Sequence, residues 1–209
     1  MMTVRNALTQ SKNLVSIRIL QAISPEYAQQ HITRFGFSAK DHPAYLTMAL
    51  GAGTVTPLQM AEGYSVFANT GYRVPSFFIS RIEDGRGKLL ARMEPEIAGT
   101  SAKRTLDARN AFIMTDMMRD VVSRGTATKA KALGRNDLAG KTGTTNDAND
   151  AWFAGFQPKL VAVVWIGFDQ PKSLGGRETG GAAALPVWVN FMAKALKDQP
   201  EYEYPVPEG

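Results

Sequence analysis

Residues 138–156 read LAGKTGTTNDANDAWFAGF, and the rest of the chain is organised around them. Lys141-Thr142-Gly143-Thr144-Thr145 sets a cation, three hydroxyls and a residue without a side chain on consecutive positions, a composition that serves chemistry better than packing. The runs DAWFAGF and KLVAVVWIGF follow, separated by Gln157-Pro158-Lys159. Their aromatic and β-branched content around a short turn predicts two successive antiparallel strands. KTGTT then becomes the strand before that pair, at the edge of a groove. Strict alternation would put Lys141, Gly143 and Thr145 on one face and Thr142 and Thr144 on the other, so a shared groove would call for a twist or bulge there. Gly143 would let a substrate backbone approach closely.

Outside this stretch, 209 residues at 44% hydrophobic content suit one globular domain with a sizeable core. The formal charge of +5 comes from scattered rather than clustered Lys and Arg, which argues against nucleic-acid binding and is equally met by an anionic small substrate. The absence of cysteine excludes disulfides and thiolate metal sites and is compatible with the periplasm. His31 and His42 are the only histidines, without a partner at metal spacing, so they read as surface or satisfied residues, and no metal or cofactor is expected. No apolar run reaches the roughly eighteen residues of a membrane span, and Met1-Met2-Thr3 lacks the pattern of a signal peptide.

Taken in order, residues 3–10 have helical spacing. Leu14, Val15, Ile17, Ile19, Leu20 and Ile23 are apolar on most faces, which predicts a buried helix. Ser24-Pro25-Glu26 starts another, running to about Phe35 and stopping at Gly36, and Thr56-Pro57 repeats the signal for a helix with the stripe Leu58, Ala61, Tyr64, Phe67 and Ala68. The loop Leu50-Gly51-Ala52-Gly53-Thr54 is glycine-rich enough for a phosphate cradle but has no lysine after it, which favours close packing. Residues 72–83 and 88–93 flank Asp84-Gly85-Arg86-Gly87 as a peripheral hairpin. Ala111, Met114, Met118 and Val121, widened by Met117 and Val122, mark a helix over 107–123, with the methionines read as core. A last amphipathic helix is expected over 182–196. The domain is therefore placed at residues 1–198, with a proline-rich, linker-like tail at 199–209.

Gly140-Lys141-Thr142 has two readings, decided by spacing. A phosphate-binding loop needs a glycine five residues before its Gly-Lys-Thr and a helix after it. Arg135 stands at that position, Gly134 is one residue too early, and a strand follows, so a nucleotide hydrolase is disfavoured. The other reading pairs Lys-Thr-Gly on a strand with a distant Ser-x-Asn turn, here Ser11-Lys12-Asn13.

Together these motifs resemble the acyl-serine transferases that bind penicillin, whose signature set is Ser-x-x-Lys, Ser-x-Asn and Lys-Thr-Gly. TVRNALTQSKNLVSIR, LALGAGTVTPLQMAEGYSVFANTG, KTGTTNDANDAWFAGF, VVWIGFD and the GG-x-AA-x-P-x-W stretch over residues 180–188 look like the transpeptidase domain of a class A, bifunctional penicillin-binding protein, across essentially the whole chain. The resemblance implies an α/β (α+β) fold of the penicillin-binding transpeptidase and β-lactamase type, an antiparallel sheet packed with helices, incomplete at the N-terminus. It also implies cross-linking of peptidoglycan D-alanyl-D-alanine stem peptides through an acyl-serine that β-lactams also form, in a periplasmic parent anchored in the inner membrane. Carried onto this sequence, Ser11 would relay a proton to the leaving amine and Asn13 would hydrogen-bond the substrate amide. Lys141 would supply positive potential and keep Ser11 poised for proton transfer. Thr142 and Thr144 would hold the terminal carboxylate, with the Thr144 N–H forming half of an oxyanion hole, and Gly143 and Thr145 would line the substrate site. Each role has a plainer rival: Ser11 or Asn13 as a helix cap, Lys141 and Thr144 as solvated edge-strand residues. One departure is large, because no Ser-x-x-Lys occurs: Ser38-Ala39-Lys40 and Ser101-Ala102-Lys103 have the wrong spacing. In the family that motif lies upstream of Ser-x-Asn, so the missing N-terminal part of the same protein is expected to be a partner of this chain. The alternative is a folded, non-catalytic module for a ligand or partner.

Overall fold

The computed structural model describes residues 2–208 as a mixed α/β body. Helices α1 (Val4–Thr9), α2 (Asn13–Ile23), α3 (Pro25–Ile32) and α4 (Pro57–Ala68) come first. Short strands β1 (Tyr72–Arg73), β2 (Arg81–Glu83), β3 (Leu89–Arg92) and β4 (Lys103–Arg104) follow, then helix α5 (Ala108–Arg124), strands β5 (Ala139–Thr144), β6 (Ala151–Gln157) and β7 (Leu160–Ile166), and helix α6 (Leu185–Ala195).

The three strands anticipated around KTGTT form one antiparallel sheet in the order β5-β6-β7. Lys141 pairs with Ala154 and Gly143 with Trp152, while Pro158 and Lys159 make the turn between Gln157 and Leu160. One face of the sheet lies on α6. There Phe153 and Trp188 are fully buried and meet edge to face at 5.0 Å, and the Trp188 indole N–H donates to the Ala162 carbonyl, so the large ring enters the core with its polar atom satisfied. The other face lies on α4 and α5, where Phe156 stacks with Phe67 and meets Tyr64 edge on.

Local signals explain most helix ends. Thr56 accepts from the Gln59 N–H while the Gln59 side chain accepts from the Thr56 N–H, a reciprocal cap ahead of Pro57. Ser24 accepts from the Tyr27 N–H, and Gly36 ends the next turn at φ +99°, a conformation that suits glycine. The glycine-rich loop is a packing element: a Cβ on Gly53 would lie 2.2 Å from the His42 ring.

Three expectations are corrected. Helix α2 is not buried: only Leu20 is, while Leu14 is 71% exposed. Its neighbours are α1, α3 and the short turn Leu46–Leu50, too little surface to cover so many apolar faces. On α4 Ala68 is buried and Tyr64 and Phe67 pack on the core as the stripe predicted, but Leu58 is exposed and Gly63 and Val66 are buried as well, because the helix is wedged between the sheet on one side and Phe37 against Gly63 on the other. The hairpin is shorter than expected, with β2 and β3 around the Asp84 turn, whereas β1 pairs with β4. Pro75, which has no N–H to donate, interrupts the run between β1 and β2.

Residues 199–204 lie against the body beside Asp137, just ahead of β5.

Candidate active site

Helix α1 delivers Ser11. Thr3 caps its start, and the helix is tied to α5 by the Arg5 guanidinium, 2.7 Å from the Asp116 carboxylate and 3.0 Å from that of Asp120. The chain then turns sharply, with Ser11 in the left-handed region at φ 52°, unusual for a residue bearing a Cβ. Lys12, not Ser11 or Asn13, holds the N-cap position of α2, and no side chain caps that helix, so the plain capping role is not the one Ser11 plays.

Strand β5 delivers Lys141. Its ammonium donates to the Ser11 hydroxyl at 2.8 Å and to the Thr142 carbonyl at 3.0 Å. Burial pushes the lysine down to about 8 from the ordinary 10.5, because the charged form has lost much of its water. Among the described residues no carboxylate lies within ion-pair distance of it. A hydroxyl that accepts from an ammonium keeps its own proton free to donate elsewhere, so the pair is chemically a proton donor poised beside a positive charge.

The pairing of β5 with β6 is regular from residue 139 to 144, without the bulge expected for a shared groove face. The site instead uses the rim of β5, an edge strand. Lys141 and Gly143 share the Trp152 face, and the long lysine chain carries its nitrogen back to the rim. From the other side, the Thr142 hydroxyl meets the Thr126 hydroxyl at 2.7 Å, and the Thr144 hydroxyl accepts from the Gly180 N–H at 3.0 Å. Thr145 closes the following loop, its hydroxyl accepting from the Asp150 N–H. A Cβ on Gly143 would stand 3.2 Å from that of Trp152, whereas one on Gly180 would fall 2.4 Å from the Gly143 carbonyl oxygen. The close backbone approach at Gly143 is thus made by the chain's own Gly180.

A groove of about 510 Å³ runs along this rim, walled by Lys141, Thr142, Gly143 and Thr144, and by Trp152 and Trp165 beyond them. Lys141, Thr142 and Thr144 line it together, and Ser11 joins them through the Lys141 ammonium. Asn13 is exposed on the first turn of α2, and its side chain makes no hydrogen bond among the described residues. Sequence reasoning missed Thr126 and Gly180. Thr126 sits in the Arg124-Gly125-Thr126 stop after α5, which reads in sequence only as a helix end; in the structure a Cβ on Gly125 would lie 2.3 Å from the Thr9 carbonyl oxygen, at the end of the helix that leads to Ser11. Among the described residues no group of three or more His, Asp or Glu is placed to hold a metal, and no helix is long and apolar enough to cross a membrane.

Residues 1–193 match the family model for the penicillin binding protein transpeptidase domain. The chain is 56% identical over 207 residues to penicillin-binding protein 1A of Neisseria lactamica, covering 99% of this chain and 26% of the relative. To penicillin-binding protein 1A of Pseudomonas aeruginosa it is 42% identical, over 99% of this chain and 30% of that one. The crystal structure of penicillin-binding protein 1A from Haemophilus influenzae superposes with a TM-score of 0.92 at 32% identity, over 99% of this chain and 36% of the other. The chain thus spans about a quarter to a third of the length of these curated relatives.

Proposed function

Because this chain belongs to the penicillin-binding protein transpeptidase family, we propose that it forms the Lys-Thr-Gly and Ser-x-Asn side of a D,D-transpeptidase site that cross-links peptidoglycan stem peptides and is acylated by β-lactams. The observation that carries the proposal is the hydrogen bond from Lys141 to Ser11, made across 130 positions of sequence at the rim of a groove. A serine oxygen attacks the carbonyl carbon of the penultimate D-alanine, the C–N bond breaks, and the terminal D-alanine leaves once its nitrogen takes a proton. That proton is the one the attacking serine gives up, relayed to the nitrogen through Ser11, while Lys141 keeps its charge, holds Ser11 poised and draws in the substrate carboxylate. The Thr142 and Thr144 hydroxyls receive the carboxylate, the Thr144 N–H faces the developing oxyanion, and Gly143 and Thr145 line the groove. Asn13 holds the substrate amide. In the second step an amine of a neighbouring strand attacks the acyl carbon, the ester C–O bond breaks, and a proton from the amine passes to the serine oxygen.

The 209 residues contain no Ser-x-x-Lys, so the attacking serine belongs to a preceding segment of a longer, periplasmic, membrane-anchored protein. The same absence favours the second reading, a folded ligand- or partner-binding module without chemistry of its own. A labelled penicillin tests both. Intact mass should show no covalent adduct on the 209-residue chain and stoichiometric acylation once an upstream Ser-x-x-Lys segment is joined to it. Acylation of the 209 residues alone would mean that the nucleophile has been misplaced, and no acylation of the longer protein would favour the module.

A further inference from the structure

Beside Asp137, two residues before β5 begins, residues 199–204 make a set of directed contacts that a free linker would not. Asp137 is 2% exposed. Its carboxylate accepts from the Arg135 guanidinium at 2.9 Å on one oxygen and 2.6 Å on the other, and from the Tyr202 N–H at 3.1 Å. Its carbonyl accepts from the Tyr204 hydroxyl at 2.9 Å. Arg135 also donates to the carbonyls of Gln199, at 2.8 Å, and Pro200, at 2.7 Å, and the Asn136 N–H donates to the Glu201 carboxylate at 3.0 Å. The Tyr204 ring stands edge on to Phe156, the β6 partner of Ala139. Three consecutive residues ahead of β5 are therefore each hydrogen-bonded to the tail. Arg119 from α5 adds one further bond, to the Asn136 carbonyl.

This matters because β5 is an edge strand. Among the described residues only β6 pairs with it, and no second ladder joins the contacts that Thr126 and Gly180 make at Thr142, Gly143 and Thr144. A strand held by one ladder frays from its ends, and Lys141 is the third residue in. We propose that residues 199–204 are a strap that holds the start of β5 in place and so positions Lys141 against Ser11, with Arg135, Asp137, Tyr202 and Tyr204 as positioning residues. Its bearing on acyl transfer rests on the function proposed above; the strap itself does not.

The test therefore reads Lys141 directly. Competitive acylation of lysines by a small anhydride across pH, quantified by peptide mass spectrometry, gives the midpoint at which Lys141 loses its proton. It is compared in the full chain, in a chain ending at Asp198, and in Tyr204→Phe. Releasing the strap should let water reach Lys141, raising the midpoint by about one pH unit toward the ordinary lysine value in the shortened chain and by less in Tyr204→Phe. A peptide of residues 199–209 added to the shortened chain should restore it. An unchanged midpoint in a shortened chain that keeps its near-ultraviolet circular dichroism overturns the proposal. Where the shortened chain does not fold, Tyr204→Phe decides, and an unchanged midpoint there reduces the tail to packing. Failure of the longer protein to take up penicillin leaves this result untouched.

Discussion

Lys141 on β5 and Ser11 in the turn between α1 and α2 meet at 2.8 Å across 130 positions of sequence, and the ammonium donates. The contact is made by two elements with different partners: α1 is tied to α5 through Arg5, and β5 is paired with β6. It joins a half-buried charge to a strained serine, so both partners should report on it when altered.

Lys141 carries an electrostatic cost that depends on pH. Its proton is held more weakly in the folded chain, at about 8, than in the unfolded one, so folding is penalised below about 8 and the penalty is lifted as pH rises from there toward 10.5. Between pH 7 and 10 the wild type should gain about 2 kcal/mol relative to Lys141→Met. Urea unfolding of both proteins at the two pH values measures the double difference, in which all other titrating groups cancel. Parallel pH profiles would refute it.

Ser11→Ala removes the acceptor and leaves the ammonium with only the Thr142 carbonyl. The hydrogen bond favours the charged form, so its loss should drive the Lys141 midpoint lower still, opposite in sign to release of the tail, at a cost of about 1 kcal/mol in stability at pH 7. Competitive labelling of Lys141 reads the direction. An upward shift would mean that the serine shields the lysine from water more than it binds it.

Gly180→Ala should be poorly tolerated. A Cβ there falls 2.3 Å from the Trp152 carbonyl oxygen and 2.4 Å from that of Gly143, both backbone atoms of the sheet that cannot swing aside. A loss of about 3 kcal/mol is expected from overpacking of this kind. Gly176→Ala, whose Cβ meets nothing within 4 Å, should fall within about 0.5 kcal/mol of wild type. Equal denaturation midpoints for the two variants would show that the π-type turn at residues 180–184 gives way freely.

Strand β7 pairs only with β6 among the described residues, and its sequence LVAVVWI has neither charge nor proline. Such an edge recruits further strands, and Leu14, Ile19 and Ile23 on α2 leave apolar surface open as well. The 209-residue chain should therefore self-associate at micromolar concentration. Sedimentation velocity showing a single compact monomer across that range would contradict this.

Much of the architecture was legible before any coordinates. The strand triplet follows from aromatic and β-branched content around the short turn at Gln157-Pro158-Lys159, and the starts of α3 and α4 follow from Ser24-Pro25 and Thr56-Pro57, because these signals act within a few residues and need no distant partner. The pairing of Ser11 with Lys141 was reached through the resemblance of two motifs, since nothing in either local stretch points to the other.

What the sequence by itself determined was local: which segments are helix or strand, where they stop, and which residues carry chemistry. The tertiary structure alone decided that α2 lies open rather than buried, since burial depends on whether other elements have surface left to cover an apolar face. Only the tertiary structure could place Thr126 and Gly180 at the rim of β5, or dock the tail on Asp137. Each of those contacts joins residues 16 to 67 positions apart, and a distance across space is set by how whole elements pack, which no short-range pattern of side chains encodes.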